Sequence, residues 1–549
     1  LCLLLETSGL CSAAWVFGRW TKLAFRFQPD NVYFEKAAKH GKEPVTRRDK
    51  EVDVAIAVIK YCYSVALLIF CVTVVIASIF SEQTKMSEQV HPVFAFFLVA
   101  FLLVWIAMME GGQGCLVGLQ PVEKGLYKGS HPVAFKSTRI AHLGDNMERF
   151  LVGRQFLVVL AVFVCNMAGA ALPGSSVLGL SDTMNSWVVE SGVALILMTI
   201  VVGQLAAQIN AADCMLDFIN THLMVFTTYA SLGIEYSGLL HAVYLVQFVF
   251  SKLTGIPIES KEAAPNGAQS LFFWVRVSFS LFVLAYSFAV TLSALFNGNT
   301  TMWGGIPPSV SVVCFFVLMA AVGLMDGMQI ALFAVVNLPE EELFPYHTAK
   351  KTCELVFKGT NLQAFLIGRQ ILVTICMFVV ARISTVDIEI GLDDNIFDVP
   401  DILQRFFNTG LLGTVITTIF GSLAWRIMAS AFPISFLSNP LVYLLVRACL
   451  LLDASGVCSS AWLLALIHKQ VAGLQPDEFY IGTYMENKGF VDVELPSSES
   501  VSDSTSDPDP PSSVESKELS IGIPESIDHV KSIEIAVQSN KKVERAFIG

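Results

Sequence analysis

The chain has 549 residues, 54% of them hydrophobic and 15% charged, against about 25% charged residues in an average soluble domain, and its mean hydropathy is +0.61. The apolar residues fall in blocks of about 20, the length that spans a bilayer, so a soluble globule is excluded. Thirty-five Lys and Arg against 47 Asp and Glu leave a net charge of −12, and no basic face for nucleic acid remains.

In chain order, residues 1–18 read as a truncated apolar helix and 19–52 as a basic linker with nine Lys or Arg at 19–50. The run starts at Leu1 with neither a Met start nor a signal-peptide layout, so the sequence is expected to be a fragment of a longer product. Ten apolar blocks follow at 54–80, 93–109, 150–172, 187–204, 223–250, 271–296, 309–325, 364–384, 405–432 and 441–467. Each predicts one transmembrane helix. Period-2 alternation is missing, which excludes an outer-membrane barrel. The blocks divide into a five-helix unit at 53–250, a connection at 251–269 and a second five-helix unit at 270–467. Residues 468–549 predict an acidic, Ser- and Pro-rich disordered tail, in which 491–549 alone carries 12 acids against 5 bases. Cysteines such as Cys62, Cys71, Cys165, Cys314 and Cys376 lie inside apolar blocks without zinc-site spacing and read as reduced packing residues.

Fixed offsets show that the chain is duplicated. A shift of 216 aligns Ile59-Lys60-Tyr61-Cys62-Tyr63-Ser64 with Val275-Arg276-Val277-Ser278-Phe279-Ser280, and Glu110-Gly-Gly-Gln113 with Asp326-Gly-Met-Gln329. A shift of 215 aligns Gly153-Arg154-Gln155 with Gly368-Arg369-Gln370. A shift of 218 aligns Gly203-Gln204 with Gly421-Ser422, and Glu235-Tyr236-Ser237-Gly238 with Asp453-Ala454-Ser455-Gly456. Because five crossings are an odd number, the second unit is expected to enter from the opposite face, as a 5+5 inverted repeat. The basic linker places its end of the first helix in the cytoplasm. Under inversion Lys350, Lys351 and Lys358 fall outside and the acidic run from Asp387 to Asp401 inside, against the charge rule. Residues 2–33 also match 449–480 with 15 identities in 32 positions, which suggests a tandem product or an inserted copy of the last helix.

Four groups of residues carry the expected chemistry. Glu110, Gly111 and Gln113, with Asp326, Gly327 and Gln329, predict helix ends at which glycine opens the backbone beside a carboxylate and an amide. Arg154 and Gln155, with Arg369 and Gln370, lie a few residues into apolar helices, and their recurrence favours a pore-facing pair over snorkelling. Glu235 and Asp453 sit mid-helix, where a carboxylate costs about 2.5–3.5 kcal/mol on insertion scales, and are candidates for cation coordination or a proton relay. Glu6 is a third copy. Lys60, Arg276 and Glu190 lie nearer helix ends and read as snorkelling. Gln204, Gln208, Cys214 and Asp217 fall in a segment read as a permeation mouth. No metal centre is expected there, since Cys214 and Asp217 supply only two ligands. There is no P-loop, zinc helix or nucleophile elbow, so neither an ATP motor nor an enzyme is expected.

The paired Glu-Gly-x-Gln and Gly-Arg-Gln motifs over ten helices, with Cys214-Met215-Leu216-Asp217, resemble the silicon transporters of diatoms. That resemblance covers about residues 50–480. It implies uptake of orthosilicic acid across the plasma membrane, with sodium as the coupling ion, no cofactor, and a further location in silica-forming vesicles. It assigns the solute site to Glu110, Gln113, Arg154 and Gln155, and to Gln329, Arg369 and Gln370. Asp326 departs from the motif by one methylene. Tandem forms in that family make an adjacent unit, or a second copy, an expected partner. Silicic acid is a small neutral tetrol, so amides and carboxylates suit it through hydrogen bonds alone. The competing classes are a membrane sensor or transport-dead subunit, and a passive channel or carrier for another neutral hydroxylated solute.

Overall fold

The computed structural model describes residues 47–481 apart from 88–89, 173, 255–265, 304, 336–342, 344, 360 and 392–394. The truncated helix at 1–18, Glu6, most of the basic linker and the acidic tail from 482 onward lie outside the described residues. In the first half α1 is Arg47–Phe80, α2 Pro92–Gly118, α3 Pro132–Ala141, α4 Asn146–Gly169 and α5 Val193–Asp213. The short α6 (Met215–Ile219), α7 (His222–Tyr236) and α8 (Ala242–Thr254) complete it. The second half repeats the order with α9 Gly267–Asn297, α10 Pro308–Val335, α11 His347–Val356 and α12 Asn361–Ser384. After α13 (Asp401–Phe407) come α14 (Leu411–Ala431), α15 (Pro433–Leu437), α16 (Pro440–Ala454), α17 (Ser460–Ala472) and α18 (Glu478–Ile481).

Eight of these helices are long and apolar enough to cross a membrane: α1, α2, α4, α5, α9, α10, α12 and α14. The protein is therefore an all-helical, polytopic membrane protein. Burial sorts the eight into two layers. In α4, α5, α12 and α14 between 61% and 72% of the apolar window is buried, against 33–39% in α1, α2, α9 and α10. The first four form the centre, and the other four present apolar side chains such as Ile59, Phe97, Phe282 and Val317 outward, as lipid contact requires.

The expected ten single crossings and their inversion are both corrected by contacts between helix ends. Lys85, just past α1, pairs with Asp387, just past α12. Trp303 Nε1, between α9 and α10, donates to the Glu190 carbonyl just before α5 at 3.2 Å. Phe163, near the end of α4, packs where a Cβ on Gly410 or Gly413, at the start of α14, would stand. Equivalent ends of the two halves thus share one face, so the halves run parallel. It follows that α5 ends, and α9 begins, on the same opposite face. The fifth block therefore enters and returns as the pair α7–α8, and the tenth as α16–α17. Non-crossing helix pairs of this kind are tolerated at membrane depth where protein encloses them.

Each reversal is built the same way. Gly238 and Gly456 take positive φ of 85° and 73°, the left-handed region that glycine occupies without a Cβ clash. Ser280 Oγ on α9 donates to the Leu239 carbonyl at 2.7 Å and accepts from Ala242 N at 2.9 Å. Ser64 Oγ on α1 donates to the Val457 carbonyl at 2.6 Å and accepts from Ser460 N at 2.8 Å. The returning helices are exchanged: α8 packs on α9 and α14 of the second half, and α17 on α1 and α5 of the first.

The segment after α17 is ordered through Ile481, inside the range expected to be a disordered tail. Asp477 accepts from the Met215 and Leu216 amides at 2.8 Å each, capping α6. Gln475 N donates to Asp217 at 2.7 Å, which fastens the end of the second half to the first.

Candidate functional site: a paired carboxylate and guanidinium centre

The expected backbone opening at Gly111 and Gly327 is not formed, because α2 and α10 run unbroken through Glu110–Gln113 and Asp326–Gln329. The glycines instead admit aromatic rings. A Cβ on Gly111 would stand 2.5 Å from Phe218, and one on Gly327 2.4 Å from Phe436, the ring at the equivalent position. Among the eight spanning helices, the departures from α-helical geometry lie in α5 and α14, which carry π-helical segments at Thr199–Leu205 and Thr417–Leu423. Such wide turns recur at functional sites because they displace a side chain from its regular register. Here they contain Gln204 and Ser422, which stand one turn before Gln208 and Arg426.

Around these turns the half-sites assemble. In the first, Glu110 lies 3.4 Å from Arg154 Nη1 and accepts from Gln208 Nε2 at 3.2 Å. Arg154 Nη2 donates to Gln155 Oε1 at 3.0 Å. In the second, Asp326 is paired with Arg369 at 3.1 Å and with Arg426 at 3.2 Å, and Ser422 donates to it. Arg369 Nη2 donates to Gln370 Oε1 at 2.9 Å, repeating the first half. The shorter Asp326 side chain is reached by three donors, so its missing methylene is compensated by Arg426 and Ser422.

Gln204 links the two. Its Oε1 accepts from Thr374 Oγ1 at 2.6 Å, and Thr374 lies one turn beyond Gln370 on α12. Gln204 is 1% exposed, so it belongs to the contact between halves and not to a permeation mouth. Gln113 and Gln329 are half-buried one turn from their carboxylates and hold no side-chain hydrogen bond among the described residues.

Three guanidiniums against two carboxylates give the centre one surplus positive charge when all are ionised. Arg154 and Arg369 are 1% and 7% exposed. Among the described residues, the Nε–H of Arg154, Arg369 and Arg426 are all buried without an acceptor. Unpaired buried donors are rare in folded proteins. Three on one constellation give the centre a set of donors able to meet oxygen acceptors. Carboxylates and Gln carbonyls nearby accept hydroxyl protons, so the centre offers both halves of a hydrogen-bonding complement to a polyol.

The remaining expected residues lie elsewhere. Glu235 and Asp453 stand at the ends of α7 and α16, beside the two reversals, and not in the middle of spanning helices. Tyr244 Oη donates to Glu235 at 3.1 Å. Lys60 and Arg276 are not snorkelling residues: their stems pack against Gly456 and Gly238, and Arg276 Nη1 donates to the Tyr236 carbonyl at 3.2 Å, where a cation suits the carboxyl end of a helix. Cys214 is buried at the bend that ends α5, a bend repeated at Phe432 after α14. Asp217 faces His131 Nε2 at 3.0 Å and Tyr480 Oη at 3.3 Å. Cys214 and Asp217 therefore serve the interface of the C-terminal segment. No group of three or more metal-binding side chains is found among the described residues.

Arg426, Ser422 and Thr374 were not singled out from the sequence. The offset of 218 that aligns Gln204 with Ser422 carries Gln208 onto Arg426, which was the available signal.

A membrane protein built of two parallel helical halves, with a buried polar centre where they meet, has the architecture of a solute carrier. The sequence profile of the silicon transporter family matches residues 52–508, and the chain belongs to that family. No curated protein and no solved structure matches it.

Proposed function

We propose that this protein is a sodium-coupled silicic acid importer that works by alternating access, with the solute held between the two half-sites. The observation that carries the reading is the set of three buried, unpaired guanidinium donors beside two carboxylates. A tetrahedral tetrol supplies acceptor oxygens to Arg154, Arg369 and Arg426. Its hydroxyls donate to Glu110, Asp326 and the amides of Gln113 and Gln329.

The contacts between halves lie in two layers on either side of this centre. On one face are the pair Lys85–Asp387 and the Trp303–Glu190 bond. On the other are the pair Lys469–Asp213, and Asn210 Nδ2 donating to the Ala465 carbonyl at 3.0 Å. Opening one layer while the other stays shut alternates access without moving the solute site. The face bearing Lys128, Lys136, Arg139 and Lys351 is the cytoplasmic one in this reading. Sodium is assigned to the second reversal, where the carbonyl end of α16 lies beside Asp453. The plasma membrane is the proposed location.

Silicic acid flux into proteoliposomes, measured with and without an inward sodium gradient, tests the proposal. Accumulation above equilibrium that depends on the gradient is expected. Equilibration alone would make the protein a passive carrier. Unchanged flux in correctly folded Gln113→Ala and Gln329→Ala variants would remove the solute from this site.

A further inference from the structure

A cavity of about 710 Å³ opens beside the first reversal, between the start of α4, the end of α7, α8 and the start of α9. It shares none of its lining residues with the polar centre. The rings of Tyr236, Tyr244, Phe248, Phe273 and Trp274 line it, together with Arg149 and Arg276 on one hand and Asp145, Glu148 and Glu235 on the other. His241, 1% exposed, also lines it, with Nδ1 lacking any acceptor or donor among the described residues, and the buried Nε of Arg276 likewise lacks a partner.

The duplication separates what the fold needs from what this cavity adds. The second reversal is built with the same glycine, serine brace and packed cation. There, however, the offsets place Ala364 for Arg149, Ser459 for His241, Ala57 for Phe273, Val58 for Trp274 and Lys60 for Arg276. The same offsets keep Asp453 for Glu235, a cation at Lys60 and an aromatic ring at Trp462 for Tyr244, so a reversal forms without counterparts of Arg149, His241, Phe273 and Trp274. Those four side chains are surplus to the architecture.

We infer that this cavity holds the headgroup of a zwitterionic membrane phospholipid. Its depth fits, since α4 and α9 both begin here on the basic face, where membrane and water meet. Arg149 and Arg276 suit the phosphate, and pockets of basic residues between helices at that face bind headgroups. The ring cluster and the carboxylates suit the ammonium through cation–π and charge attraction. The flanks are apolar and open: Leu271, Phe272 and Val275 are 67%, 48% and 56% exposed, which leaves a path for the acyl chains.

The test uses the full chain, stripped of lipid in detergent and mixed with phosphatidylcholine or with phosphatidylglycerol, the bound lipid being counted by native mass spectrometry. One phosphatidylcholine per chain is expected, preferred over phosphatidylglycerol. The triple variant Phe273→Ala, Trp274→Val, Arg276→Lys, which writes in the residues of the other half, is expected to weaken its retention by about tenfold or more. Should that variant melt before the wild type, His241→Ser is read in its place, with reduced retention expected. Equal retention by the folded variant, preference for the anionic lipid, or no bound lipid would each overturn the inference.

Discussion

Gln208 and Arg426 hold the same position in the two halves, and each donates to the carboxylate of its own half at 3.2 Å, the first to Glu110 and the second to Asp326. One duplicated scaffold therefore carries a neutral amide beside one carboxylate of the polar centre and a guanidinium beside the other. The asymmetry tilts the charge of an otherwise repeated site.

Exchanging that guanidinium for its counterpart is the sharpest probe of the centre. Arg426→Gln removes a charge-assisted hydrogen bond to a buried carboxylate, worth about 1.5–3 kcal/mol. Asp326 keeps Arg369 and Ser422, so the fold is expected to survive. Silicic acid flux in proteoliposomes is expected to drop by about tenfold or more, and a variant with wild-type flux would leave Arg426 a structural residue.

The parallel arrangement makes a prediction about sidedness that the inverted one reverses. Single cysteines replacing the exposed Glu82, Asp398, Lys128 and Lys351 are to be labelled with an impermeant maleimide in a background freed of the exposed Cys62. Glu82 and Asp398 are expected to react from one side of the membrane, and Lys128 and Lys351 from the other. Reaction of the Glu82 and Lys351 positions from the same side would restore the inverted repeat.

At the glycines of α2 and α10 the expected effect is one of packing. Gly327→Ala drives a methyl to 2.4 Å from the Phe436 ring, and overpacking of this kind costs about 1–3 kcal/mol. A lower melting temperature is expected, recovered when Phe436→Ala is added. If the double variant melts no higher than the single one, the ring is not what the glycine accommodates.

The C-terminal clasp is expected to respond to pH. Burial pushes the Asp477 carboxyl up to about 7, with the charges of Asp213 and Asp217 acting the same way and the two amide hydrogen bonds opposing. An unfolded Asp titrates near pH ~4. The native state thus binds more protons between these values, and stability falls as pH rises from about 4 toward 7, then levels off. Thermal melting between pH 4 and 8 checks this, and Asp477→Asn is expected to flatten the curve.

Much of the centre could be read from residue offsets alone. The pairs Glu110 and Asp326, Arg154 and Arg369, and Gln155 and Gln370 are where repetition placed them, because a duplication keeps side-chain chemistry in register. Direction is a different matter. An apolar block records only that its residues avoid water, and blocks 223–250 and 441–467 are long enough to cross once, so a reversal inside them leaves little trace. The trace was Ser237-Gly238 and Ser455-Gly456, whose glycines adopt the left-handed turn. Charge told the same story: Lys350, Lys351 and Lys358 sat on the wrong side of the inverted repeat, and the parallel halves return them to the basic face. Arg426 escaped notice because duplication had changed its chemistry, and only its position survives.

The exchange of α8 and α17 between halves bears on how such a protein arises. A single half, made alone, would leave the flank of its fourth spanning helix uncovered and its own returning helix without a seat. Two copies of that half satisfy each other by trading arms, as domain-swapped dimers do. The fused chain is then a dimer whose partners can no longer separate, and its two copies are free to differ, one carrying an amide where the other carries an arginine.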